Sequence, residues 1–265
     1  MLGRITKQLR VVTRKSETTW RYGYHLPDVI ASRFNPLPEP SPEIRRVVAD
    51  LDRHGVARTS VDAFFASDGL YGELRREVDE LQGVRAAELA EARGGGVAGA
   101  HKTFSYEFFD GHPKPGTVHT RFASQPEFRQ VADRYLGFRG RLRGANTWLT
   151  LVSSDNARQS QTWHRDPEDR YILKIFVLLS DVDAGCGPFH YAPGSHMKGA
   201  NPALLAVDRY GLSDDEMASL VPREHWFVGT GSPGTIIFAD TRGYHKGGLA
   251  RHRERLVFVG MYLAY

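Results

Sequence analysis

Trp163-His164-Arg165-Asp166, then Gly243-Tyr244-His245, then Arg255 are the residues of this chain whose types and spacing could do chemistry. A His and an Asp two positions apart on a strand project from the same face. A second His from a distant strand would complete three ligands on one side of a metal ion and leave the other side open. Two imidazoles and one carboxylate with open positions is the facial arrangement that suits Fe(II) and oxygen chemistry. Arg255 lies ten residues past His245 (255 − 245 = 10) and leads into the apolar run Leu256-Val257-Phe258-Val259. A cation that deep in a strand needs an anion. The carboxylate of a keto acid, gripped bidentately, would supply it.

The tripeptide alone is weak, because eleven histidines among thirty-one acids make one His-X-Asp nearly expected. His164 and Asp166 can equally be a surface hydrogen-bonded pair, with His245 capping a Gly-rich turn. Context favours the ligand reading: the motif ends the β-prone run from Gln159, and Pro167 stops the strand at once. His190, His196, His225 and His252 are rivals for the distal ligand. Only His245 has an Arg ten residues on that enters an apolar strand. Arg251 and Arg253 share the strand parity of Arg255, but Arg255 alone is followed directly by the apolar run. An Asp rather than Ala or Gly in the motif argues for oxygen insertion over halogenation. Cys186 sits in Gly-Cys-Gly-Pro with no His to activate it, so no nucleophile competes.

Such ligands need a β framework to bring them together. After Gly140, strand-like runs follow at Thr147–Val152, Gln161–Arg165, Ile172–Leu179, Phe189–Ala192, Trp226–Val228, Thr235–Phe238 and Leu256–Leu263. Many short strands punctuated by turns predict a sandwich or barrel. The 79 residues from Asp166 to His245 (245 − 166 = 79) suit a jelly roll, where first and last core strands meet. The N-terminal half is helical in pattern: a stretch from about Pro42, a short strand at Arg53–Ala57, then three- and four-residue apolar spacing over 61–92, stopped by Arg93-Gly94-Gly95-Gly96. Thr103–Phe109 is β-prone. Ser124–Glu127 and Ser213–Glu216 read as capping boxes, the first opening a helix to about Leu136. The expected class is mainly β with α: a double-stranded β-helix (jelly roll) core with a helical N-terminal half packed on one sheet.

Residues 34–43 carry four prolines and read as an extended linker. The chain then divides into a basic N-terminal arm with this linker, 1–43, and a single domain, 44–265. Within 1–22, six basic side chains face one acid, Glu17, and Leu2, Ile5, Leu9 and Val12 recur at helical spacing. That segment suits a helix packed by its apolar stripe, a surface for an anionic partner or membrane, or a transit peptide. The rest of the chain is near neutral (+4 − 5 = −1), which argues against nucleic acid. Hydrophobic content of 41% with 25% charged residues is that of a globular protein, so disorder is not expected. No apolar run reaches the ~18–20 residues of a membrane span. The lone Cys186 excludes an internal disulfide and fits a reducing cytoplasm. A monomer or a homodimer is compatible with these features.

Between the ligands lie Ile172-Leu173-Lys174-Ile175-Phe176-Val177-Leu178-Leu179-Ser180-Asp181-Val182-Asp183, then Gly187-Pro188-Phe189, then Ala192-Pro193-Gly194-Ser195-His196. Over roughly residues 145–262 the chain resembles the phytanoyl-CoA dioxygenase family. There an apolar strand ending in a Leu-Ser/Thr-Asp-Val turn leads to Gly-Pro and then to Pro-Gly-Ser-His. The resemblance implies a jelly roll holding Fe(II) and 2-oxoglutarate, with O2 as oxidant. His164, Asp166 and His245 match the iron ligands, and Arg255 matches the co-substrate arginine. Gly247 stands where members often carry a small hydroxyl residue, and Leu249-Ala250-Arg251 where an Asn is common.

Thr147, on the strand before the metal motif, and Lys174, a cation in an apolar strand, are further co-substrate candidates. Ordinary strand filling and snorkelling to solvent are their alternatives. His196 is expected to be scaffold. The implied activity is a 2-oxoglutarate-dependent dioxygenase, a hydroxylase of a C–H bond in a polar small molecule, with release of succinate and CO2. A secondary metabolite, an amino acid or a sugar derivative would fit. A non-catalytic jelly-roll or cupin-like binding protein is the alternative. The segment 104–109, the loop Glu168-Asp169-Arg170 and the 197–225 insertion are expected to line the substrate pocket.

Overall fold

The computed structural model describes residues 16–67, 69–95, 104–199, 201–207 and 209–264. Strand β9 (Arg255–Leu263) is buried at eight of its nine positions, a pattern that only a strand covered on both faces can satisfy. It lies inside a six-stranded antiparallel sheet of order β1 (Val56–Ser60), β7 (Thr235–Asp240), β4 (Leu173–Leu178), β9, β3 (Arg141–Thr150), β2 (Ser105–Glu107). A second antiparallel sheet has three short strands, β6 (Phe227–Gly229), β5 (Phe189–Tyr191) and β8 (His245–Gly247), in that order.

Side-chain alternation gives the large sheet two different faces. Ile175, Val177, Ile236, Phe238 and Phe258 enter a core shared with helices. Phe176, Leu178, Ile237, Val257 and Val259 enter a second core with Phe189 and Tyr191 of the small sheet. That second core is the layer between the sheets. The architecture is therefore mixed α and β, with helices on one face of an antiparallel sheet and a second sheet on the other.

The helices are α1 (Leu26–Phe34), α2 (Pro42–His54), α3 (Val61–Phe64), α4 (Gly69–Val84), α5 (Ala86–Gly95), α6 (Val118–Ala123) and α7 (Pro126–Leu136), with α8 (Pro202–Ala206) and α9 (Asp214–Leu220) in the insertion. Val47, Leu51, Leu74, Val78, Phe122 and Phe128 cover the sheet from the first seven. Helix α2 starts where Ser41 Oγ accepts from Ile44 N–H at 3.2 Å and stops at Gly55, whose φ of 77° ends the helix in the left-handed region. The first strand therefore begins at Val56, later than the expected 53–57. The helical pattern of 61–92 is cut after Phe64, because Phe65 turns extended and stacks edge-on against Phe64.

The box expected at Ser124 does not form. Ser124 N–H instead closes α6 on Thr120 O at 3.0 Å, and Gln125 precedes Pro126 without a side-chain cap. The box at Ser213 does form: Ser213 Oγ accepts from Glu216 N–H at 3.2 Å, and Glu216 accepts from Ser213 N–H at 2.7 Å. Of the basic 1–22 segment, residues 1–15 lie outside the described residues, as do Gly96 and Thr103. Thr19–Tyr24 form a π-helical turn that buries Trp20 against Phe138 and Tyr171. Among the described residues, no helix is long and apolar enough to cross a membrane.

Candidate metal centre

His164 and His245 are cross-strand partners. Each backbone N–H donates to the other's carbonyl at 3.0 Å, so the two imidazoles leave their strands side by side, with ring centroids 4.3 Å apart. Alternation sends the preceding residues, Trp163 and Tyr244, the opposite way into a third core with Leu212 and Met217 of the insertion. Asp166, two residues past His164, is fixed by its N–H donating to Thr241 O at 2.9 Å. The regular strand expected over Gln161–Arg165 is instead a 3-10 turn (Gln159–Gln161) followed by isolated bridges of Trp163 to Leu212 and His164 to His245. Partners on two different segments cannot build one ladder.

Both rings are oriented by one device. His164 Nδ1 lies 2.9 Å from Thr162 O, and His245 Nδ1 lies 3.0 Å from Gly243 O. A carbonyl only accepts, so each Nδ1 carries a hydrogen, and in the neutral ring Nε2 keeps its lone pair. His164 Nε2 is 3.8 Å from Asp166 Oδ1, and His245 Nε2 is 3.6 Å from Oδ2. All three residues are buried, and one donor atom from each lies within 4.8 Å of the others. Among the described residues this is the one such grouping that could hold a metal ion.

Electrostatics leave these groups able to bind a cation. Burial, with His164 alongside, pulls the His245 imidazole down to about 3, so it is neutral near pH 7. Burial would raise Asp166, but the Lys174 ammonium and the His245 ring outweigh it and hold the carboxyl well below the usual carboxylate range. Lys174 Nζ sits 2.6 Å from Asp166 Oδ2, and although desolvation opposes its charge, this partner keeps its own pKa raised.

A cavity between the sheets is lined by His164, Asp166 and His245 and also by Arg255, with Trp148, Phe176, Phe189 and Val257 as apolar walls. Arg255 donates to Gly187 O and, at 3.2 Å, to Thr150 Oγ1. Its Nε has no partner, and no carboxylate pairs with it among the described residues. Desolvation alone brings this guanidinium down to about 10. A wider cavity shares Trp148, Ser160, His164, Asp166 and Lys174 with the first and opens past Glu107, Arg143, Glu168, Tyr210 and Arg242.

Of the six residues singled out in the sequence, His164, Asp166, His245, Arg255 and Lys174 meet around these cavities. Thr147 does not. Strand β3 turns Trp148 and Thr150 into the cavity and Thr147, flanked by buried Ala145 and Leu149, toward the helices. Thr150, directly opposite Arg255 in the β3–β9 register, holds the place Thr147 was expected to hold. No single-strand pattern carries that register.

The rival histidines lie elsewhere: His190 Nδ1 is on Pro188 O, and His196 Nε2 is on Asp52 O, a scaffold role. Asp169 and Arg170 also leave the pocket, because Asp169 accepts from Trp20 Nε1 at 2.8 Å and Arg170 donates to Glu17 at 2.7 Å. Glu168, Phe104, Ser105 and Glu107 do line the cavities. Cys186 is buried with its thiol on Asp183.

No protein-family model matches the sequence, and no curated protein does. Solved structures do match by fold. The non-heme alpha ketoglutarate dependent epimerase SnoN from nogalamycin biosynthesis superposes with a TM-score of 0.56 at 18% identity, over 83% of this chain and 82% of that one. EctD from S. alaskensis, solved with bound Fe, gives 0.57 at 21% identity, over 82% and 75%. The carbocyclase SnoK, also non-heme, alpha ketoglutarate dependent and from nogalamycin biosynthesis, gives 0.53 at 16%, over 85% and 87%. At these identities the likeness is one of fold.

Proposed function

We propose that this chain is an Fe(II)- and 2-oxoglutarate-dependent dioxygenase that hydroxylates a C–H bond of a polar small molecule, on a jelly-roll fold of the phytanoyl-CoA dioxygenase kind. The observation that carries the reading is one cavity holding two imidazoles, a carboxylate and a buried guanidinium that pairs with no acid among the described residues. The donor set fits a divalent iron with an open face. His164, Asp166 and His245 would hold it, and Arg255, with Thr150 beside it, would receive the distal carboxylate of the keto acid. Iron and 2-oxoglutarate, when bound, supply oxygen activation coupled to loss of CO2 and formation of succinate.

The protein's own share is orientation and exclusion of water. Thr162 O and Gly243 O fix the imidazoles, and the carboxylate stays ionised beside Lys174. Phe176, Phe189 and Val257 keep the surroundings of Arg255 dry, which strengthens its grip on an anion. The wider cavity, with charged Glu107, Arg143 and Arg242 beside aromatic Trp148 and Tyr210, supports a polar substrate carrying an apolar face. SnoN has been solved with nogalamycin RO and EctD with 5-hydroxyectoine, which supports a small-molecule substrate. The division into an arm of 1–43 and a domain of 44–265, a cytoplasmic location and a monomeric or dimeric state belong to this reading. Oxygen-dependent succinate release from 2-oxoglutarate tests it, with Asp166→Ala as the control. Because the variant also strips Lys174 of its counter-ion, its fold is checked by circular dichroism; the folded variant is expected to release none, and undiminished succinate from it would remove Asp166 from the centre.

A further inference from the structure

Lys174 stands in the middle of an apolar strand, where a cation is costly to place. Pairing fixes its position: it lies opposite Ala239 of β7 and Met261 of β9, and alternation turns it with Phe176 and Leu178 into the layer between the sheets. Its side chain is 15% exposed and that of Asp166 is 11% exposed, so this ion pair is shielded from water. A buried ammonium requires such an anion, but a carboxylate whose only task is to hold a metal ion requires no lysine. The Asp166 carboxylate thus already carries one cation, Lys174. Oδ2 is engaged by Lys174 at 2.6 Å, which leaves Oδ1, on the His164 side, for a second positive charge.

We propose that Lys174 is a positioning residue that limits Asp166 to one-oxygen coordination of the metal and weakens the site's hold on a divalent cation. The inference rests on the metal-centre reading above. Carboxylates bind metals through one oxygen or both. Two oxygens and two imidazoles would occupy four positions of an octahedral ion, whereas one oxygen and two imidazoles occupy three. The three left over match the two oxygens of a keto acid and one position for dioxygen. The charge of Lys174 also opposes a divalent ion beside it, an effect that low local dielectric enlarges.

The experiment uses the full chain stripped of metal, with Mn(II) as probe. Free aquo-Mn(II) is followed by its EPR signal, and a parallel Co(II)-loaded sample is followed by visible absorption. Lys174→Met removes the charge at similar length, and Lys174→Gln keeps an N–H donor without the charge. Lys174→Met is expected to bind Mn(II) about tenfold more tightly or better, and to change the Co(II) band intensities as a second carboxylate oxygen joins.

A folded Lys174→Met with unchanged or weaker Mn(II) affinity and the parent's Co(II) spectrum overturns the proposal. Should that variant fail to fold, Lys174→Gln is judged on the same affinity criterion. If neither neutral variant folds, Lys174 is a structural counter-ion and the proposal falls. Absence of Mn(II) uptake by the parent chain contradicts the metal-centre reading itself, which keeps the two failures apart.

Discussion

Two imidazoles whose Nδ1 atoms face carbonyls can present only Nε2 to the space between them, and the carboxylate there is held ionised by Lys174. Three donor atoms are thus grouped where they could hold a metal ion. Arg255 is the complementary residue, a desolvated cation whose partners are a backbone carbonyl and a hydroxyl. The role proposed for it predicts opposite effects on binding and on stability. Arg255→Met should raise the 2-oxoglutarate requirement by ~100-fold, the loss of a charge-assisted bidentate contact worth about 3 kcal/mol. The ligand-free variant should melt no lower than the parent, because an apolar side chain replaces a buried cation without a countercharge. A steady-state KM with a thermal melt checks both. An unchanged KM, or a melt that collapses, would assign Arg255 to the fold.

That these residues meet was legible because residue type and spacing survive without a structure: His-X-Asp, a distal His and an Arg ten residues on. Facing was less legible. Thr147 and Thr150 look alike in sequence, and only the pairing of Thr150 with Arg255 selects between them. Lys174 was visible as an anomaly in an apolar strand, but its partner was not, since Asp166 and Lys174 come from segments whose packing no spacing encodes.

At the scale of elements, the centre depends on how closely one short strand approaches its neighbours. Gly243 precedes His245 by two residues, supplies the carbonyl for its Nδ1, and has no room for a side chain. A Cβ there would lie 1.9 Å from Tyr191 Oη and 2.9 Å from Ser195 Oγ. Tyr191 and Ser195 are themselves tied down, by Tyr191 Oη donating to Asp240 O at 2.8 Å and Ser195 Oγ donating to Ala192 O at 2.6 Å. The Pro-Gly-Ser-His turn is thus the abutment against which the His245 strand is set, and this is the physical content of that motif.

Gly243→Ala should cost about 1–3 kcal/mol of stability from overpacking and should weaken metal uptake, because β8 must shift with His245 on it. Denaturant unfolding and a metal titration of the same sample check this. Parent-like metal binding by the destabilised variant would show that the strand position is not transmitted to the imidazole. The first capping box failed for a reason of the same scale. Ser124 N–H was already committed to ending α6, and local sequence does not announce that a preceding helix runs into the box.

The whole molecule is a sheet with helices on one face and a second sheet on the other, and its buried histidines give it a pH signature. His25, His119, His190, His196 and His245 all have lowered pKa values, with burial the leading cause in each, His190 at about 4 and His245 at about 3. In the unfolded chain each would take a proton near 6.5, which the folded state refuses, so stability is present above that value and is lost as pH falls toward the folded values. Between pH 7.5 and 5 the metal-free protein should lose about 2 kcal/mol for each of His190 and His245, read from denaturant midpoints. A flat profile across that interval would mean these histidines are not buried in solution.

Strand punctuation foretold the antiparallel sheets, and apolar spacing foretold the helical N-terminal half. What sequence could not supply was the N-terminal tie, in which Trp20 and Glu17 reach Asp169 and Arg170 just past the metal motif. Contacts across some 150 positions leave no local trace.

The most direct measurement is an anaerobic absorption titration of the metal-free chain with Fe(II) and then 2-oxoglutarate. The account predicts a weak visible charge-transfer band that saturates at one keto acid per chain, is absent in Asp166→Ala, and needs far more 2-oxoglutarate in Arg255→Met. A folded parent protein that takes up iron and develops no band with 2-oxoglutarate would contradict it.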